Sequence, residues 1–147
     1  MPANECIPYY EPGSRITALT TEAITGKRFV KISANKLVGS NALSTTADGG
    51  NIKVAMADAG ETPIGVSSYD AASGALVGVL GAGFVVPVKA GEAITAGDLL
   101  VAGADGVAMK QTAIALTGNA QNITPVGIAG IALADAALNA DCLVKLV

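Results

Sequence analysis

Short apolar runs alternate with glycine-containing turns along most of the chain, and residues 84–110 show this pattern most clearly. They read FVVPVKAGEAITAGDLLVAGADGVAMK, with runs of Val, Leu, Ile and Phe separated by the turn signals Ala90-Gly91, Ala96-Gly97 and Asp105-Gly106. Each run is too short for a helix of ordinary length, and glycine recurs too often for a helical face to persist. The pattern therefore predicts a β-meander of closely spaced antiparallel strands.

The same signals predict a series of strands along the chain. Apolar or alternating runs bounded by turn residues lie at 27–33, 52–56, 63–66, 76–80 and 84–88, and in the terminal segments PVGIAGIAL and CLVKLV. We expect Gly81-Ala82-Gly83 to form the hairpin between two of these strands. Helix is scarce, and the best window, 132–141, fits a short helix or a turn equally well. The predicted fold class is all-β, a small barrel or sandwich of short antiparallel strands.

The first 25 residues show no sustained period and differ in composition. They contain three of the six prolines and two of the three tyrosines. Proline fixes φ and removes a backbone donor, which favours an extended path over the interior of a sheet. We predict an extended N-terminal arm at 1–25 and one β-rich domain at 26–147, because this length suits a single core. An arm folded back on its own domain is the alternative.

One internal echo is visible. A Pro-aliphatic-Gly-aliphatic run, an Asp-Ala-Ala triplet and a Leu-Val strand follow one another twice, at Pro63, Asp70 and Leu76 and again at Pro125, Asp135 and Leu143. Either one β-unit is used twice, or regularly spaced turns produce the match without common structure.

Composition adds an expectation about assembly. The chain of 147 residues is 51% hydrophobic but only 3% aromatic, has no tryptophan, and contains 18 glycines. Glycine loses the most backbone freedom on folding, and the core is built from small side chains. We therefore expect contacts between subunits to supply part of the stability.

The charge pattern argues against two classes of partner. The net charge is −3, with acidic and basic residues scattered along the chain. Nucleic-acid binding is not expected, because it requires a basic stripe. Apolar runs are interrupted before a membrane span is complete, so no transmembrane helix is expected. The start, MPANECIPYYEPGSR, lacks the basic and apolar regions of a secretion signal, which predicts synthesis in a cytoplasm.

Residues that could carry chemistry are few. Histidine is absent, which removes the usual nucleophile arrangements and imidazole metal ligands. Cys6 and Cys142 could form a disulfide between the chain ends or remain two free thiols, as a reducing compartment favours. Glu92, Asp98 and Asp105 could act as paired carboxylates or calcium ligands, but each lies near a glycine, where acidic side chains commonly serve turns.

Two further motifs carry alternatives. Gly81-Ala82-Gly83 lacks the third glycine of a dinucleotide-binding fingerprint and runs into an apparent strand, so nucleotide binding is not expected. Ala108-Met109-Lys110 is similar to the modified turn of biotin-carrier domains. Lys110, however, lies four residues beyond Asp105-Gly106, and Gln111 replaces the second methionine. A solvent-facing strand lysine is the simpler interpretation.

The order of features resembles a family of tailed-phage capsid decoration, or cement, proteins. The resemblance covers nearly the whole chain: Tyr10, Pro12 and Gly13, then GKRFV at 26–30, then PIGVSSYDAASG, VPVKAGEAITAGDLLVAGADGVAMK and VGIAGIAL…LVKLV. It implies a role similar to that of lambda-type head decoration proteins, which are small β-rich proteins, commonly trimers, on the outer face of an icosahedral head.

This resemblance implies a non-enzymatic virion protein, without a cofactor, that binds the major capsid protein and bridges its subunits. An arm that adds to a capsid strand needs few specific side chains. The candidate capsid-binding residues are Tyr9, Tyr10, Pro12 and Arg15, because Tyr and Arg are enriched at interface hot spots. The alternatives are a biotinyl-type or lipoyl-type carrier domain modified at Lys110, and another structural module of a virion or surface layer.

Overall fold

The computed structural model describes residues 14–36, 50–112 and 127–147, and these residues form strands and turns. The first half of the chain contains β1 Arg15–Thr20, β2 Phe29–Ala34, β3 Ile52–Met56, β4 Gly65–Ser67 and β5 Leu76–Leu80. The second half contains β6 Val85–Lys89, β7 Leu99–Ala102, a 3-10 turn at Ala104–Gly106, β8 Ala108–Lys110, β9 Gly130–Ala132 and β10 Asp141–Leu146. The predicted all-β class is confirmed, and the window 132–141 is a turn flanked by strand residues.

Strands β1 to β5 form a closed barrel in the order β1-β3-β2-β4-β5. Its seam is closed by parallel pairing of β1 with β3, over Ala18 to Thr20. Alternate residues of each strand point inward, so small aliphatic side chains fill the interior. The buried interior residues are Ala18, Ile24, Val30, Val54, Val77 and Val79. We call this unit the first barrel.

Strands β6 to β10 form a second five-stranded sheet, in the order β6-β10-β9-β7-β8. Its edges approach each other at a parallel bridge between Ala90, directly after β6, and Ala108 of β8. The equivalent pairing in the first barrel extends over three residue pairs. We call this unit the second barrel; its seam is the more open of the two.

The two barrels repeat the same backbone pairings. Ile24 and Ala71 exchange backbone hydrogen bonds of 2.8 and 2.9 Å in the first barrel, and Ile94 and Ala136 exchange bonds of the same lengths in the second. Cross-strand registers agree, with Phe29–Val66 matched by Leu99–Ile131 and Leu19–Leu76 matched by Lys89–Asp141. One five-stranded unit is therefore used twice, with β1 to β5 equivalent to β6 to β10.

The Asp-Ala-Ala part of the predicted echo is confirmed in register. Asp70 Oδ1 accepts a hydrogen bond of 2.7 Å from the Gly26 amide, and Asp135 Oδ1 accepts one of 2.8 Å from the Ala96 amide. Both carboxylates satisfy a backbone donor in the same turn of the repeat.

The other two matches of the echo are shifted. Val30 pairs with Gly65 and its equivalent Leu100 pairs with Gly130, so Gly65 corresponds to Gly130 and not to Gly127. Leu76 likewise corresponds to Asp141 rather than to Leu143. Short runs of Gly and aliphatic residues match in several registers, so sequence alone left the alignment ambiguous.

Two predicted connections are wrong. Gly81-Ala82-Gly83 is not a hairpin, because β5 pairs with β1 and β4 while β6 pairs with β10; it joins the two barrels. The predicted meander holds for β7 and β8 only, since β6 lies beside β10 rather than β7. Sequence neighbours are thus separated in the sheet by strands from the end of the chain.

The predicted boundary of the arm at residue 25 is also corrected. Residues 15–20 form β1, which pairs with β3 and β5, and Ile24 bridges to Ala71. Alternation from Ala18 to Thr20 buries one face of this strand, a period too short to stand out among the neighbouring prolines. Residues 1–13 lie outside the described residues, and for them the arm stays a prediction.

The first barrel packs against the second through the outer face of β2 and β4. Phe29 and Val66 are 0% and 1% exposed and share one buried cluster with second-barrel residues such as Val88 and Leu146. The outer face of β2 and β4 thus belongs to the core of the second barrel, while the interior of the first barrel forms a separate cluster.

Polar contacts border this packing. The Lys89 amide donates to the Lys27 carbonyl at 3.1 Å, and Lys27 Nζ lies 2.6 Å from Asp141 Oδ2. Arg28 donates a 2.9 Å hydrogen bond to the Asp105 carbonyl. The barrel–barrel contact therefore joins the β2 side of the first barrel to the β6 and β10 side of the second and to the Ala104–Gly106 turn.

Candidate interaction surface

The acidic residues considered as candidate carboxylate pairs serve the backbone. Glu92 Oε1 accepts from the Lys110 amide at 2.7 Å, and Asp98 Oδ2 accepts from the Thr95 amide at 2.9 Å. Asp105 adopts positive φ in the 3-10 turn. The predicted turn chemistry is confirmed for Asp98, and Asp105 lies in a turn as expected, whereas Glu92 accepts from the amide of a β8 strand residue. In the described part of the chain, no group of three or more His, Cys, Asp or Glu residues could hold a metal ion.

Lys110 is the exposed last residue of β8 and pairs with Leu100. The turn of its hairpin is at Ala104–Gly106, so the lysine lies at the far end of the strand from the apex. The predicted position down the outgoing strand is confirmed. A carrier lysine must project from an apex, and this one does not.

Cys142 lies on the inner face of β10 and is fully buried. Burial raises the pKa of its thiol, and the negative charge of Asp98 raises it further. A thiol of this kind is a poor nucleophile near neutral pH, since the thiolate is the reactive form. Cys6 lies outside the described residues, so a disulfide between the two is untested.

The predicted capsid-binding residues fall in two places. Tyr9, Tyr10 and Pro12 lie outside the described residues. Arg15 is exposed at the start of β1, where it pairs with Leu80. Arg15 therefore belongs to the barrel rather than to a free arm, and it stands where the segment before β1 enters the fold.

An ion pair on the first barrel carries the clearest electrostatic perturbation. Lys31 Nζ lies 2.6 Å from Glu61 Oε2, and that oxygen also accepts from the Asp58 amide at 2.8 Å. Its hydrogen bonds, from Lys31 first and then from the Asp58 amide, lower the pKa of Glu61. The hydrogen bond to Glu61 correspondingly raises the pKa of Lys31. The pair fixes the β3–β4 connection on β2.

The outer face of the second barrel presents a row of large apolar side chains. Leu143 of β10 lies beside Pro87 of β6 and Leu133, which directly follows β9, and Ile131 of β9 lies beside Leu99 of β7. Lys145 of β10 is the other neighbour of Ile131. Leu99, Leu133 and Leu143 are 46%, 45% and 42% exposed. Contiguous exposed apolar side chains on a sheet mark interaction sites.

The first barrel differs at the equivalent positions. Thr17, Gly78 and Ser68 stand where the second barrel has Pro87, Leu143 and Leu133. Polar or small residues thus occupy one copy of this face and apolar residues the other. The apolar character at Pro87, Leu143 and Leu133 is therefore specific to the second barrel, whereas Leu99 and Ile131 have the apolar equivalents Phe29 and Val66.

Exposed apolar residues on the first barrel lie elsewhere, at Ile32 of β2 and near the ends of β1 and β5. Leu76 is 50% exposed and pairs with the half-buried Leu19. Tyr69, 53% exposed, donates to the Leu76 carbonyl at 3.3 Å. The sequence analysis missed both apolar surfaces, because strand periodicity does not show which face a second domain covers.

Within residues 14–36, 50–112 and 127–147, no helix has the length and apolar character needed to cross a bilayer. No protein-family model matches the chain, and no curated protein sequence matches it. Among solved structures, the chain is similar to the N base of the head fiber gp8.5 of bacteriophage phi29. The TM-score is 0.63 and the identity 21%, over 90% of this chain and 92% of that chain. The likeness shows that the two share a fold.

Proposed function

We propose that this chain is a non-enzymatic structural protein of a phage virion that binds the outer surface of the head and bridges major capsid subunits. The observation that carries the proposal is the shared fold with a head fiber base, which extends over almost the full length of both chains. A tandem barrel that is apolar on one outer face suits a binding role.

The chemistry of the described residues is consistent with this role. The carboxylates of Glu92, Asp98 and Asp135 accept from backbone amides, and the Cys142 thiol is buried with a raised pKa. A capsid accessory protein needs repeated weak contacts rather than reactive groups, because symmetry multiplies a modest interface into a high avidity. A homotrimer would supply three such contacts at once and match a local three-fold axis.

In this proposal the segment before β1 makes part of the contact with the head. Arg15 lies exposed at its point of entry, and Tyr9, Tyr10 and Pro12 precede it. An extended segment that adds to a capsid strand gains affinity from backbone hydrogen bonds, and aromatic side chains add anchoring contacts.

Co-sedimentation with expanded heads that lack this protein tests the proposal. The full chain should sediment with the heads, and a chain lacking residues 1–13 should bind more weakly while remaining folded. The deletion ends at residue 13 because residues 15–20 are a barrel strand. Absence of binding by the full chain would overturn the proposal. Equal binding by both chains would show that the protein binds the phage head without residues 1–13.

A matched pair of point variants refines this test. Alanine at Tyr9 and Tyr10 should weaken sedimentation with heads, whereas Leu138→Ala, at an exposed turn of the second barrel, should not. Unchanged binding by the double tyrosine variant would show that these side chains are not contacts.

A further inference from the structure

The contact between the two barrels joins two different surfaces. In this subsection we call them the head and the tail, in the sense of a head-to-tail contact between repeated units and not of the phage head. The head of the first barrel is the outward pair Phe29–Val66 with Lys27, and the tail of the second barrel is the pair Lys89–Asp141. Because the barrels are copies of one unit, each also carries a counterpart of the surface that the other uses, except that the Ala104–Gly106 turn corresponds to the longer β2–β3 connection of the first barrel. One head and one tail are therefore left over.

The leftover head lies on the second barrel. Its outward pair is Leu99–Ile131, the structural equivalent of Phe29–Val66. Phe29 is 0% exposed because the second barrel covers it, whereas Leu99 is 46% exposed. The second barrel thus has an apolar pair on its surface at the position where the first barrel has a pair that is buried by another barrel of the same fold.

The leftover tail lies on the first barrel. Its pair is Leu19–Leu76, the equivalent of Lys89–Asp141. Both charged residues of the tail, Lys89 and Asp141, are replaced by leucine, and Leu76 is 50% exposed. A strand surface that only faced solvent would have no need for leucine in place of these charged residues.

The two leftover surfaces match each other in chemistry. Inside the chain, Lys27 of the head pairs with Asp141 of the tail at 2.6 Å. Gly97 stands at the position of Lys27, because its amide donates to Ala132 as the Lys27 amide donates to Ser67. An ionic pair inside the chain thus becomes glycine against Leu76 on the leftover surfaces. A lysine flanks each surface, Lys145 beside Ile131 and Lys53 beside Leu19, and the long side chain of a lysine can keep its charged end in water at the edge of a contact.

One difference between the barrels sets the depth of the contact. In the second barrel the β6–β8 seam is open, and Lys89 of its edge donates to the first barrel at 3.1 Å. In the first barrel β3 closes this seam. A second copy that packs on the first barrel would therefore contact a closed surface. Its contacting residue would be Leu99, which is shorter than the Phe29 that fills the internal contact.

We propose that the Leu99 surface of one chain packs against the Leu76 surface of a second copy, repeating between subunits the head-to-tail contact between the barrels. A heterologous contact of this kind extends to a closed ring or to a filament. The proposal concerns the chain's self-assembly and does not rest on the virion role.

The experiment uses the full chain and measures mass by light scattering and native mass spectrometry. The unaltered chain should form an oligomer of defined mass, which indicates a closed ring. Leu99→Arg and Leu76→Arg should each reduce it to monomer, because each removes one of the two surfaces. Leu138→Arg, at a 59% exposed turn position, is the control and should leave the oligomer unchanged.

Mixing the two disabled variants separates a head-to-tail contact from a symmetric one. Each variant keeps one intact surface, so tagged Leu76→Arg should capture untagged Leu99→Arg but not untagged Leu76→Arg. The mixture is made at the highest soluble concentration, because the avidity of a closed ring is lost. Circular dichroism checks folding, and Leu99→Ser and Leu76→Ser replace any arginine variant that unfolds.

Three results would overturn the proposal: a monomeric unaltered chain, oligomers that persist in both single variants, or no capture between the two variants. If a trimer persists in both variants, it uses another surface, and the trimer in the proposed function would stand without this contact.

Discussion

Phe29 and Leu99 occupy equivalent positions in the two barrels, yet Phe29 is completely buried and Leu99 is 46% exposed. The difference arises because a second barrel covers only one of the two positions. The same position is thus a core site in one copy and a surface site in the other.

Replacing these residues should therefore have unequal effects on folding. Phe29→Ala should lower the free energy of unfolding by about 3–5 kcal/mol, because it leaves a cavity in the shared core. Leu99→Ala should cost less than about 1 kcal/mol, since much of its side chain already contacts water. Urea unfolding followed by circular dichroism measures both.

The comparison requires a monomer, so both substitutions are made in the Leu76→Arg background. Equal losses of stability would contradict the assignment of Phe29 to the shared core and of Leu99 to the surface.

Asp70 and Asp135 should contribute similarly to stability, because each accepts one backbone hydrogen bond in the same turn of the repeat. Alanine at either position should cost about 1 kcal/mol, the usual net value of such a bond. Asparagine should retain most of it, since its carbonyl oxygen can accept from the same amide.

Thermal unfolding of the four variants tests this equivalence. Destabilisation by one alanine and not the other would show that the two turns have diverged in energy although their geometry is the same.

Sequence reasoning recovered the elements of the fold better than their pairing. The strands predicted at 52–56 and 76–80 coincide with β3 and β5, because strong apolar periodicity is a local property. The pairing of β6 with β10 was missed, since short glycine-rich strands specify a distant partner weakly.

The duplication was only half visible. Asp-Ala-Ala revealed it, but a clearer signal was overlooked: Glu-Ala-Ile-Thr occurs at 22–25 and again at 92–95, in equivalent turns. The two copies are not related by a constant sequence offset, because their connections differ in length. The connection between the second and third strands is long in the first barrel (β2–β3) and short in the second (β7–β8), whereas the connection before the fourth strand is longer in the second barrel. The apolar surfaces could not be predicted, because exposure depends on how the barrels pack.

Stability below neutral pH should depend on Glu61. The Lys31 and Asp58 hydrogen bonds hold its pKa below the ordinary value of 4.5, so its contribution is present above that value and is lost as the pH falls through the folded-state pKa. Glu61→Gln keeps an acceptor for the Asp58 amide and should flatten the acid limb of stability against pH.

Lys31 should affect the dependence of stability on pH at the alkaline end. Its pKa is raised above 10.5, so its contribution is complete below that value and is lost as the pH rises through the folded-state pKa. Denaturant titrations at several pH values measure both limbs. An acid limb of unchanged slope in Glu61→Gln would assign the acid sensitivity to other carboxylates.

Lys110 should be unmodified in protein made in cells, because it lies at the far end of β8 from the hairpin turn. Intact-mass spectrometry should give the mass of the bare chain, and Lys110→Ala should leave sedimentation with heads unchanged. An adduct of biotinyl or lipoyl mass on Lys110 would instead support the carrier alternative.

Gly106 should be among the least replaceable glycines, because two separate costs coincide there. Its φ is +72°, which strains any L side chain, and an added Cβ would collide with the backbone of Phe29. Gly60 has a similar φ of +82°, with no atom within 4 Å of an added Cβ. Gly60→Ala therefore isolates the backbone strain, which should cost about 1 kcal/mol.

Gly106→Ala should cost clearly more and should loosen the packing of the two barrels, measured by urea unfolding and by proteolysis at the Gly81–Gly83 connection. Equal costs for the two substitutions would show that the barrels can separate at this point without loss, which would contradict a rigid contact around Phe29.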